Sequence, residues 1–249
     1  MDPVYHREVY NLEDDYWWFK SKRYLLVRTL RDLANYFGQE IRLLDSGCGT
    51  GANLREISKF FPSVGVEKYF DGLLLCKNRS LNNVLNGQLE RLPFKDESFD
   101  VVLAMDVLEH VDDDIEVLKE LFRVSKKNGI LITHVPAFMF LWSDHDIAVS
   151  HKRRYITEKF VKQLEKSNFK VKYINYRLCL FFILGILRKY LIKIKKIIKK
   201  DREIKSSRPK VGRIINYILY IIVKWEDRLL NYIHPPVGLS IFCIAQKKN

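Results

Sequence analysis

The stretch Leu43-Leu44-Asp45-Ser46-Gly47-Cys48-Gly49-Thr50-Gly51 constrains the fold of this chain more than any other. It reads as a short buried strand that runs directly into a glycine turn opening a helix. Glycines at 47, 49 and 51 let the backbone turn tightly and bring its N–H groups against a ligand, while Asp45 supplies an acceptor at the carboxyl end of the strand. The spacing is G-x-G-x-G. A dinucleotide fold places its third glycine one residue later, beside a pyrophosphate, so this turn suits a cofactor without phosphates.

Further stretches follow in order. Val64-Gly65-Val66-Glu67 reads as a second strand ending in an acidic residue about twenty positions after the turn, where a carboxylate can accept from both hydroxyls of a ribose. Next come Gly87-Gln88-Leu89-Glu90-Arg91-Leu92-Pro93-Phe94 and Ser98-Phe99-Asp100, then the apolar Val101 to Met105 closing on Asp106-Val107-Leu108-Glu109-His110-Val111. A fifth strand is expected over Gly129 to Val135. Taken together, these motifs resemble the class I S-adenosylmethionine (SAM) dependent methyltransferases over roughly the first 135 residues. The resemblance implies SAM as cofactor, held by Asp45, Gly47, Gly49, Gly51, Glu67, Gln88, Leu89 and Asp106. The family commonly has an acid where this chain has Gln88, whose amide oxygen offers an alternative acceptor. Met105, Val107 and Leu108 read equally as core, and His110 as a buried, satisfied histidine.

Alternating strand and helix signals from Ile41 to about Val135 imply parallel strands joined by crossover helices, with helical periodicity over Asn53 to Phe60 and Asp113 to Val124. The expected fold is α/β, a Rossmann-like seven-stranded mostly parallel sheet flanked by helices. A sixth strand over Phe169 to Ile174 and a seventh over Leu239 to Ala245 would pair antiparallel at one edge. Ligands on such sheets sit at the carboxyl ends of the strands, so the glycine turn, Glu67, Gln88, Asp106 and His134 should share one cleft.

A helical insertion is expected before the last strand. The reading assigns 1–176 and 237–249 to the catalytic domain and 177–236 to the insertion, which is far longer than a hairpin connection. Two apolar runs, Leu178 to Leu187 and Ile214 to Val223, are too short for a bilayer span of about 20 residues. Between them, Arg188 to Arg213 holds twelve basic residues against two acidic ones, a net +10 of the chain's +13. Leu187, Leu191, Ile194 and Ile198 fall on one helical face, with Lys189, Lys193, Lys196 and Lys200 on another. That pattern reads as an element drawn to an anionic membrane surface, with a solvated charged face and nucleic acid binding as the competing readings. Four cysteines, at 48, 76, 179 and 243, lack metal or disulfide spacing and suggest no metal. A cytoplasmic setting, peripheral on the inner face of the membrane, is expected, and no signal-peptide pattern opens the chain.

Two other stretches bear on the acceptor. Tyr16-Trp17-Trp18-Phe19 precedes an amphipathic helix. By analogy with the family this segment is a lid, Trp17 or Trp18 walling the acceptor pocket and Arg23 pairing with the SAM carboxylate; alternatively the aromatics only staple the helix to the core. The run Pro136 to Tyr155 begins at the cleft and resembles a family branch associated with glycan- or lipid-linked substrates. His145 or His151 is the candidate base for a hydroxyl acceptor, with Asp146 orienting a ring and His134, Arg154 and Tyr155 contacting substrate. The whole implies a methyltransferase acting on a small hydroxylated or lipid- or glycan-linked acceptor, against the alternatives of an RNA methyltransferase or a SAM-binding module without turnover.

Overall fold

A computed structural model describes residues 3–37, 40–187, 190 and 211–248. Two N-terminal helices, α1 (Pro3–Glu13) and α2 (Trp17–Phe37), precede β1 (Leu43–Ser46), α3 (Ala52–Ile57), β2 (Ser63–Glu67), α4 (Phe70–Asn78) and β3 (Val84–Asn86). The chain continues through β4 (Phe99–Met105), α5 (Asp114–Val124), β5 (Ser125–Pro136), α6 (Asp144–Ala148), α7 (Thr157–Lys166), β6 (Phe169–Arg177), α8 (Arg213–Leu229) and β7 (Ser240–Lys247).

These seven strands form one sheet in the order β3-β2-β1-β4-β5-β7-β6. The first five run parallel, and β7 lies antiparallel between β5 and β6. Every residue of β1 and β4 is buried, as expected of central parallel strands covered on both faces. On one face, α5 packs Val117, Leu118, Leu121 and Val124, and α7 adds Phe160 and Leu164. The other face receives Leu25, Leu26 and Leu30 of α2. Asp113 caps α5 by accepting from the Ile115 and Glu116 N–H groups at 2.9 and 3.0 Å. Strand order reverses between β1 and β4, which opens a crevice at their carboxyl ends.

The expected strands are present, most with longer ends; β7 begins at Ser240 rather than Leu239, and β3 has no counterpart among the strands read from the sequence. β6 reaches Arg177 instead of stopping at Ile174, because Asn175 and Arg177 bury their polar groups on the segment that returns to β7. The α1 helix had no counterpart in the sequence reading. Within 177–236, α8 packs along α2, and Tyr16, Trp17, Leu178 and Val223 form a small third core. The Arg188 to Lys210 charge run, with Leu191, Ile194 and Ile198, lies outside the described residues apart from Tyr190.

Candidate functional site

The glycine turn hooks over the end of β2: the Gly47 and Cys48 N–H groups both donate to the Val66 carbonyl, at 2.8 and 3.0 Å. All three glycines are left-handed, with φ of 74°, 58° and 82° at 47, 49 and 51. They are required for different reasons. A Cβ on Gly47 would lie 2.7 Å from Val107, and one on Gly51 2.5 Å from Leu81, so packing excludes side chains there. Beside Gly49 nothing lies within 4 Å, which leaves the turn open where a ligand would approach.

Asp45 is buried, and its Oδ2 has no hydrogen-bond partner. Burial, then the nearby Glu67 and Glu13 charges, push its carboxyl up to about 7. An orphaned buried carboxylate next to an open glycine turn fits a cationic ligand, and SAM carries a sulfonium and an ammonium. Glu67 closes the turn, Oε2 accepting from the Gly49 N–H at 2.9 Å and Oε1 from the Tyr69 N–H at 2.7 Å. Burial raises its pKa. Each oxygen keeps a further lone pair for a ribose hydroxyl. Leu89 is buried beside Gly47, whereas Gln88 is exposed.

Asp106 leaves β4 with φ 56°, a backbone strain of the kind that gathers at functional sites. Its carboxylate meets His134 Nδ1 at 2.5 Å and is ion-paired with Lys22. Burial alone would raise its pKa; Lys22 and His134 instead hold it well below the usual carboxylate range. His134 is itself buried, which lowers its pKa, and its Nε2 has no partner.

The N-terminal residues expected near cofactor and acceptor make protein contacts of their own. Arg23 Nη2 donates to the Glu13 carbonyl at 2.9 Å, which caps α1. Its neighbour Lys22 reaches the strand ends instead, a residue the sequence reading missed. Trp17 is buried, stacks on Phe181 at 5.2 Å, and donates its backbone N–H to Asn216 at 2.9 Å. It therefore fastens α2 to the segment after β6, and Trp18 packs edge-on against it at 5.6 Å. The N-terminal segment is tied to the cradle through Glu13, hydrogen-bonded to Thr50, and through Arg79, which pairs with Glu13 and Asp14.

In the loop after β5, Asp146 is the hub. Fully buried, it accepts from the Ser143 N–H at 2.9 Å, from Arg154 Nε and Nη2 at 2.8 and 3.0 Å, and meets His151 Nδ1 at 2.8 Å. Burial works against ionisation, but the His151 and Arg154 bonds keep this carboxyl well below its ordinary value. The structure thus brings Asp146 and His151 together, with Nε2 of His151 turned towards Glu109 and the His145 ring 6.3 Å from that of His151. Arg154 and Tyr155 each hold groups of the protein itself. The guanidinium holds Asp146 and the Ala137 carbonyl, and the Tyr155 hydroxyl donates to buried Asp114 at 2.9 Å. Both lock the loop, and burial pushes the Tyr155 phenol pKa upward.

Residues 44–133 match the family described as a methyltransferase domain. The chain is 31% identical over 140 residues to an uncharacterised protein of Methanocaldococcus jannaschii, covering 55% of this chain and 58% of that one. It is 25% identical over 172 residues to a protein of Mycolicibacterium smegmatis named as a probable S-adenosylmethionine-dependent methyltransferase, covering 67% and 64%. The chain therefore spans less than two thirds of the length of these relatives. Among solved structures, a SAM-dependent methyltransferase from Thermotoga maritima shares the fold with a TM-score of 0.60 at 20% identity, covering 98% of this chain and 96% of that one. The sheet and cradle define a nucleotide-cofactor α/β fold. Over residues 44–133 the chain is similar to the methyltransferase domain of class I SAM-dependent enzymes, and its sheet has their fold.

Proposed function

We propose that this chain transfers the methyl group of SAM to a hydroxyl of a small or lipid- or glycan-linked acceptor at an anionic membrane surface. Residues 177–236 then act as a membrane-facing addition to the catalytic unit of 1–176 and 237–249. The observation that carries the reading is the His151–Asp146 couple on the loop that leaves the cradle's own end of the sheet. Bound SAM would supply the methyl group from its sulfonium, the C–S bond pair staying on sulfur as the acceptor oxygen takes the carbon. Proximity and alignment are the enzyme's main contribution to such a displacement. Asp45 faces the cationic end of the cofactor, Glu67 the ribose, and Leu89 with Gln88 the adenine. Asp106, fixed by Lys22 and His134, sets the inner wall. His151, its Nδ1 held by Asp146, or His145 takes the acceptor's proton.

Support for the membrane comes from the surface and the charge. Leu180, Ile183 and Leu184 are exposed after β6, as are Ile214, Ile218 and Trp225 on α8, and Phe140 of the acceptor loop packs on Phe182 at 6.1 Å. Patches of this kind on either side of a +10 run favour an interfacial element over a phosphate-tracking one. None of the described helices is long and apolar enough to cross a membrane. Each Lys or Arg near an anionic leaflet contributes about 1 kcal/mol, so Lys193, Lys196 and Lys200 changed together to Glu should release the protein from anionic vesicles in a sedimentation assay. Salt should weaken binding without abolishing it, because apolar burial is not screened. Wild-type protein that ignores anionic vesicles at low salt but pellets with RNA would instead favour an RNA methyltransferase, and absence of label transfer from SAM to lipid, glycan and RNA fractions alike would favour a module without turnover.

A further inference from the structure

Three donor groups outside the cradle converge where the end of β4 meets the acceptor loop. Glu109 and His110 follow β4, His151 follows α6, and their ligand-capable atoms lie within 4.8 Å of one another. His151 Nε2 stands 3.9 Å from Glu109 Oε1, and the two imidazole rings meet edge to face at 4.7 Å. Glu109 is almost wholly buried, and its Oε2 has no hydrogen-bond partner. A buried carboxyl left in this way lacks a counter-charge.

Each histidine has a further partner beside the cluster. His151 Nδ1 is held by ionised Asp146, and the His110 ring bonds the Ser150 backbone. Metal-ligating histidines carry this arrangement, the outer nitrogen fixed by a carboxylate or a carbonyl so that the inner one is aimed and basic. The nearest other charges balance: Arg154 is bonded to Asp146 and Lys22 to Asp106.

We propose that Glu109, His110 and His151 form a site for a divalent transition-metal ion, with a fourth position open to an oxygen of the acceptor. Two imidazoles and one carboxylate with an open position are a ligand set for catalytic zinc. Zinc bonds of about 2.0–2.2 Å place tetrahedral donors roughly 3.5 Å apart, so the 3.9 Å pair needs only a small rotamer adjustment. A cation on Nε2 would lower the pKa of a bound acceptor hydroxyl, whose proton then passes to His145, the second base of the reading above. That use of the cation rests on the hydroxyl-acceptor reading above; its binding does not.

The test is zinc content. Full-length protein stripped with a chelator, equilibrated with Zn²⁺ and desalted should retain one zinc per chain by mass spectrometry. Glu109→Gln and His151→Ala should each retain about a tenth of that or less, while SAM titration shows both variants folded. Cobalt(II) loaded into the unsubstituted protein gives a second reading that needs no variant: the intense d–d absorption of a four- or five-coordinate site. A SAM-binding wild-type protein that retains no zinc, equal zinc in the variants, or cobalt with the spectrum of its aqua ion would each overturn the site. Any of these results would leave methyl transfer itself untouched.

Discussion

The glycine turn and the segment around α8 are both held against the same sheet, but by different means. At the turn, order is local: three left-handed glycines, two N–H groups on the Val66 carbonyl, and a carboxylate that bonds the turn's own backbone. Around α8, order depends on partners distant in sequence. Arg177 meets Asp227 through two bonds of 2.7 and 2.6 Å, Glu226 accepts the Cys179 N–H at 3.0 Å, and Trp17 reaches across to Phe181. The first region is specified by what its backbone can do, and so can be recognised in a sequence. The second is specified by pairs, and its outer surface, with Ile214 78% exposed, remains available to something else.

This contrast can be broken most severely at the Arg177–Asp227 pair, which is almost wholly buried. Asp227→Ala leaves a buried guanidinium uncompensated, at a cost of about 3–5 kcal/mol. Urea denaturation should show that loss, and a decrease below about 1 kcal/mol would mean that the segment is not pinned to the sheet in this way. Next in size is Trp17→Ala, expected to cost about 3 kcal/mol through lost packing. Hydrogen exchange should rise first in α8 and in 178–187, with SAM affinity retained; uniform exchange across the sheet would argue that the two regions are one unit.

A smaller effect, on the other side of the comparison, is a pH dependence set by Asp45. Its folded pKa of about 7 lies above the ordinary 3.8, so the folded protein holds an extra proton between those values. Without ligand, this group therefore stabilises the fold in acid, and that contribution is lost as pH rises through 7. A cationic cofactor requires the opposite form, the ionised carboxylate. SAM should bind about tenfold more weakly at pH 6 than at pH 8, a change of about 1.4 kcal/mol. Asp45→Asn should flatten that dependence, and a wild-type affinity equal at both pH values would remove Asp45 from contact with the cofactor's charge.

Legibility followed the same division. The cradle and the parallel strands were readable because Leu43 to Gly51, Val64 to Glu67 and Val101 to Met105 carry their own patterns. β6 was read three residues short, since Asn175 and Arg177 look like the end of a strand until Leu230 and Asp227 are there to receive them. Arg23 was chosen where Lys22 is the residue that reaches the strand ends; one step along a helix turns a side chain by about 100°, and the sequence does not say which way α2 faces. The packing of the paired tryptophans was not legible because Phe181, the partner of Trp17, lies about 160 residues away. His151 and Asp146 were legible as neighbours, but Glu109 and His110 join them only through the fold, so no local spacing marked the cluster.

The most direct test of the account is a calorimetric titration of SAM against the wild-type chain and Gly49→Leu. Gly49 has open space beside it and makes no packing contact through a Cβ, so the variant should remain folded, with only a strain of about 1–3 kcal/mol from its left-handed φ. Wild-type protein should bind one SAM per chain, and Gly49→Leu should bind it at least a hundredfold more weakly, because the new side chain occupies the space reserved for the cofactor. Equal SAM affinity in the two proteins, or binding of NAD in preference to SAM, would contradict the assignment of the glycine turn as the cofactor cradle.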